Sequence, residues 1–121
     1  MKNLWLIDAN PILRYLLNDI PEQADETEQK IKEGAYTLPE VLSEVIYVLI
    51  KVYKAPKNIV CDSLLRVLEL IQVNDKDMIL YAFDLFRNYS LDFVDCILIA
   101  HNHLAHEKVF SFDKKLNNKL K

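Results

Sequence analysis

Glycine is almost missing from this sequence: Gly34 stands alone among 121 residues. With only four prolines beside it, the composition excludes a disordered, linker-like or low-complexity chain. No Gly-rich phosphate loop and no nucleophile elbow can be found. Cysteine is scarce too. Cys61 and Cys96 lie far apart in apolar, helix-like segments, with no CxxC pair and no disulfide framework. They read as reduced, packed thiols of a cytosolic protein. No apolar run approaches the ~18 residues of a membrane-spanning helix. The N-terminal Met1-Lys2-Asn3, followed by Leu4 to Ile7, meets Asp8 too soon for a signal peptide. These absences lead to the expectation of a soluble, cytoplasmic protein. An excess of basic charge is also absent: 15 Lys and Arg face 18 Asp and Glu, for a net charge of −3. That balance does not display the basic face of a typical nucleic-acid binder. Setting aside the four acids singled out below leaves +1, so steering by net charge is weak.

What is present suits one domain over residues 1–121. Apolar residues make up 51% of the chain, and a chain of this length buries roughly two-thirds of the surface its unfolded form exposes. Leu4-Trp5-Leu6-Ile7 reads as a buried strand. Asp8-Ala9-Asn10-Pro11 then starts a helix, with Asn10 as N-cap and Pro11 at its first position. Asn18 to Pro21 is a break. Glu22 to Glu33 is a polar helix stopped by Gly34. Ala35 to Leu38 is a second short strand. Pro39 to about Tyr53 is a helix with Val41, Leu42, Val45, Ile46, Leu49 and Val52 on its apolar side. A further amphipathic helix runs through Ile59, Leu64, Leu68 and Ile71, and Val73 lies in a short strand or a connection. Asp77 to about Arg87 and Leu91 to about Ala105 are helical. Lys108 to Phe112 reads as a strand and Asp113 to Leu120 as a terminal helix. Strands alternating with helices predict an α/β fold with a mostly parallel central sheet. Its first and last strands each carry an Asp just past the carboxyl end, the edge where such sheets form ligand sites.

Four acids then stand out. Asp8 ends an apolar strand, where it serves either a site or the next helix start. Asp95 stands in Phe93-Val94-Asp95-Cys96-Ile97-Leu98, apolar on both sides. Burial there calls for a cation, hydrogen bonds or a proton. The alternative is a capping box with Asp92 at the N-cap. Glu44 shares the polar stripe of its helix with Glu40, Tyr47 and Lys51, and by periodicity alone is a solvated acid. Asp113 opens the terminal helix, as a site acid or as its cap. Converging carboxylates repel one another and suit a hard cation such as Mg2+ or Mn2+. A cation so held activates water for phosphodiester hydrolysis.

These acids and their neighbours resemble the PIN-domain nucleases, most of all the VapC-like ribonuclease toxins of prokaryotic toxin–antitoxin pairs. The matching pieces are Leu6-Ile7-Asp8-Ala9-Asn10, Leu38-Pro39-Glu40-Val41-Leu42-Ser43-Glu44-Val45, Leu91-Asp92-Phe93-Val94-Asp95-Cys96-Ile97-Leu98 and Val109-Phe110-Ser111-Phe112-Asp113. The resemblance implies a three-layer fold, a parallel sheet flanked by helices with the acids at one edge. It also implies Mg2+- or Mn2+-dependent cleavage of RNA by Asp8, Glu44, Asp95 and Asp113, with Asn10 and Ser111 in support. A homodimer and a cognate antitoxin are further implications. The chain departs from the family at Asn88-Tyr89-Ser90, where relatives often place Gly, and at Cys96, where a small Ala is common.

Other features carry less. His101, His103 and His106 do not share a helix face as zinc ligands would, and read as structural or surface residues. Arg14, Lys51, Lys54, Lys114, Lys115 and Lys119 are candidate phosphate contacts, each set against an ordinary solvated charge. Two rival functions fit the length and class. One is a non-catalytic PIN-like binding module. The other is a phospho-acceptor receiver domain, which needs adjacent acids after the first strand and a late Lys where Asp113 stands.

Overall fold

The computed structural model describes Asn3 to Lys121; Met1 and Lys2, the start of the segment weighed as a signal peptide, lie outside the described residues. The chain divides into two compact units, the first ending at Asn74 and the second running from Asp75 to Lys121.

Three short parallel strands organise the first unit. They are β1 (Trp5–Leu6), β2 (Ala35–Thr37) and β3 (Gln72–Val73), in the order β1-β2-β3. Trp5 pairs with Ala35 and Leu6 with Tyr36, while Tyr36 pairs with Gln72 and Thr37 with Val73. Four helices connect them: α1 (Ala9–Leu17), α2 (Pro21–Glu33), α3 (Pro39–Lys51) and α4 (Lys57–Leu70). An α/β class with a parallel sheet is therefore what forms.

The helix limits follow from local chemistry. Pro21 and Pro39 open α2 and α3, where no intrahelical N–H is needed. Asn18 closes α1 in the left-handed region, with φ 51°. Gly34 closes α2 at φ 111°, and a Cβ there would meet the Leu4 side chain at 3.0 Å. This is the one position where the backbone demands glycine. Leu42, Val45, Ile46 and Leu49 of α3 and Val60, Leu64 and Val67 of α4 are buried. They recur every three or four residues, as amphipathic helices require.

Two expectations for this unit are corrected. The first strand is not buried: Trp5 and Leu6 are 46% and 51% exposed, and only Ile7 behind them is buried. β1 is an edge strand with one ladder neighbour, so its apolar run is not enclosed on both sides. Trp5 instead donates its indole N–H to Glu33 at 3.1 Å, and the Lys30 ammonium lies 4.5 Å from its ring centre. The N-cap of α1 is Asp8 rather than Asn10, because the helix begins at Ala9 and Asn10 falls inside its first turn.

The second unit is helical: α5 (Lys76–Asn88), α6 (Phe93–Ala105) and the short α7 (Lys114–Asn117). α5 and α6 pack through Phe83, Phe86 and Phe93; Phe93 meets Phe83 at a tilt, 4.7 Å between ring centres, and Phe86 edge to face at 5.7 Å. Lys108 to Phe112 forms no strand, contrary to the expectation for this apolar segment. Phe110 and Phe112 are 86% and 89% exposed and meet edge to face at 5.1 Å. A strand needs a ladder neighbour, and among its described residues this unit has no strand to offer. Cys61 and Cys96 are buried and form no disulfide, one in each unit. No helix among the described residues is long and apolar enough to cross a membrane.

Candidate active site

In the first unit the carboxyl ends of β1 and β2 lie at the same sheet edge, because the strands are parallel. The backbone there is fixed by two bonds to Ile7. Its N–H donates to the Tyr36 carbonyl at 2.9 Å, and its carbonyl accepts the Thr37 hydroxyl at 2.9 Å. Thr37 is completely buried. Asp8 follows Ile7 directly. One oxygen of its carboxylate accepts the Ala9 N–H at 2.7 Å and caps α1. The side chain is otherwise exposed, so capping leaves its second oxygen without a partner among the described residues of this unit. Asn10 is exposed in the first turn of α1. Glu44 is exposed on α3, the helix that starts two residues after β2.

In the second unit Asp95 sits in the first turn of α6 and is half-buried. The capping box is not built: Asp92 is the N-cap residue, but its side chain makes no capping bond. No group of its own unit donates to the Asp95 carboxylate. Burial raises its pKa above the ordinary value, and the charges of Asp92 and Asp113 raise it further. The fold of this unit thus brings Asp113 into the electrostatic reach of Asp95, across 18 positions of sequence. Asp113 caps α7 by accepting the Leu116 N–H at 3.0 Å. Ser111 supports it: the Asp113 N–H donates to the Ser111 hydroxyl at 3.0 Å, and the Asn117 amide donates to the Ser111 carbonyl at 2.8 Å.

Within either unit, no three His, Cys, Asp or Glu side chains of the described residues form a ready metal cage. His103 bonds to Tyr81 and to the Lys119 carbonyl, and His101 pairs with Glu107. The basic candidates separate. Arg14 is committed to Asp19 at 2.8 Å, and Lys119 lies 3.7 Å over the Tyr89 ring. Lys51, Lys54, Lys114 and Lys115 are exposed.

Sequence reasoning missed Thr37 and Asn102. Each is a polar residue inside an apolar element, and that mismatch was the available signal.

The family model of the PIN domain matches residues 5–119 of the chain. No curated protein and no solved structure matches it.

Proposed function

The chain belongs to the PIN domain family, whose nuclease-type activity is the hydrolysis of nucleic acid, and from that premise we propose that it is a Mg2+- or Mn2+-dependent endoribonuclease. The observation that carries this reading is Asp95. A half-buried carboxylate with no donor in its unit, facing two other acids, is an arrangement that a bound cation relieves. The donor set of Asp8, Glu44, Asp95 and Asp113 is all oxygen, which fits a hard divalent ion. These four residues would hold it, and when bound it would activate water and offset the charge that builds on the phosphodiester.

The chain's own residues supply the rest. Asp8 and Asp113 are each oriented by a backbone N–H of the helix they cap. Capping therefore fixes the direction of the carboxylate and leaves one oxygen for a ligand. Asp95 keeps a proton to a higher pH than an ordinary carboxylate while no cation is near. Ser111 holds the backbone at Asp113. Lys114 and Lys115 follow directly and are exposed to meet phosphate charge. Asn10 is free to hydrogen-bond a substrate oxygen or water.

The resemblance to VapC-like toxins supports two further parts of the reading: a homodimer, and control by an antitoxin protein in the cytoplasm. Cleavage of a mixed RNA pool by the purified chain with Mn2+ tests the core of it, with EDTA and Asp95→Asn as controls. Cleavage that requires both the metal and Asp95 is the expected result. Cleavage that survives Asp95→Asn would remove Asp95 from the site. No cleavage by folded, metal-loaded protein would favour the non-catalytic binding module.

A further inference from the structure

After α6 the chain leaves at Glu107, passes through Ser111 and Asp113, turns through α7 and returns to α6 at Lys119 to Lys121. One side chain meets both ends of this excursion. Asn102 is 7% exposed. Its amide donates to the Glu107 carbonyl at 2.9 Å and to the Lys121 carbonyl at 3.3 Å. Its oxygen accepts the Lys121 N–H at 2.8 Å. Three bonds nearly exhaust what one asparagine can make. The next residue adds a fourth tie. The Lys119 carbonyl can only accept, so His103 Nε2 carries the proton and donates to it at 2.6 Å. The Tyr81 hydroxyl then donates to His103 Nδ1, also at 2.6 Å.

Asp95 lies on the same helix, α6, seven positions before Asn102. The excursion that Asn102 closes carries Asp113. We propose that Asn102 is a positioning residue, which sets where Asp113 stands relative to Asp95 by clasping the returning chain to α6; His103 reinforces the clasp. The proposal rests on the nuclease reading for its consequence, and on these bonds for its geometry.

The test compares wild type, Asn102→Ala, Asp113→Asn and the double variant as full chains. Amide hydrogen exchange at Leu116, whose N–H is bonded to Asp113, reads the geometry without any metal. It should quicken at least ~10-fold in Asn102→Ala, while Ile99 in the core of α6 keeps its protection. Mn2+ affinity reads the consequence. It should weaken ~10–100-fold in Asn102→Ala, as for residues that orient metal ligands. The double variant should bind no more weakly than Asp113→Asn, because both changes act on one carboxylate. Unchanged Leu116 exchange, or additive losses of affinity, would overturn the proposal. A wild type that binds no Mn2+ would refute the nuclease reading, and Leu116 exchange would still decide the clasp. If Asn102→Ala does not fold by circular dichroism, His103→Ala, which cuts the Lys119 tie and the Tyr81 bond but leaves the three Asn102 bonds, takes its place in the same comparison.

Discussion

Replacing Thr37 by valine removes one hydroxyl from a fully buried position and leaves the volume nearly unchanged. The Ile7 carbonyl loses the donor it holds at 2.9 Å. A neutral hydrogen bond lost in this way, with a buried acceptor left behind, costs about 1–2 kcal/mol. For a chain of this length that lowers the melting temperature by roughly 5 °C. The functional cost should be larger than the stability cost suggests. Ile7 is bonded covalently to Asp8, and freeing its carbonyl loosens the backbone that aims the carboxylate. We expect RNA cleavage to fall about tenfold at a temperature where the protein is fully folded, within the ~100-fold that a 1 Å misplacement can cost. Thr37→Ser is the matched control. It keeps the hydroxyl and loses a buried methyl, at a comparable cost of about 1 kcal/mol. The assay is urea unfolding of both variants beside initial cleavage rates with Mn2+. Serine should lose stability and keep activity, whereas valine loses both. Equal cleavage rates for the two variants would refute the idea that the hydroxyl positions Asp8.

Other expectations are as direct. Asp92→Asn should leave most of the cleavage activity while Asp95→Asn abolishes it; equal losses would show that the wrong acid of α6 was chosen. Gly34→Ala forces a side chain to φ 111° and against Leu4 at 3.0 Å, so urea unfolding should show a loss of about 1–2 kcal/mol, and an unchanged midpoint would contradict the assigned backbone. The Trp5 indole bond, the first cause of the shift, holds Glu33 below its ordinary pKa of 4.5. A depressed carboxylate adds stability that is present above the unfolded value and is lost as pH falls through the folded one. Trp5, the one tryptophan, should therefore change its emission in acid with a midpoint below 4.5, and a midpoint at or above that value would show the bond to be absent in solution.

Much of this fold can be read from helix signals, because caps, Pro at first positions and apolar spacing act locally. Pro39 and the Leu42–Leu49 spacing predict α3, and Gly34 ends α2 where expected. Strands are less legible. Lys108 to Phe112 is a short, largely apolar segment that reads as a strand, but a ladder needs a neighbour that only the tertiary fold can supply. The same limit applies to Leu4 to Ile7, whose apolar run says nothing about whether one face or both are covered. The apolar pattern around Asp95 marks it as an acid in need of a partner. Its repulsion from Asp113 is a property of the returning chain, and so is the clasp through Asn102. Asp8 and Asp113 carried two readings in the sequence, cap or site acid. The structure realises the capping one in both, which leaves the other compatible rather than excluded.

The three strands of the sheet, of which β1 leads to Asp8, are two, three and two residues long. So short a ladder has few bonds to break, whereas α3 and α4 hold thirteen and fourteen residues each over a buried apolar face. Transient opening should therefore begin at the β1 edge rather than in the helices. Native fluctuations would then concentrate where Asp8 stands, and anything that grips that carboxylate would quiet the edge of the sheet without touching the core.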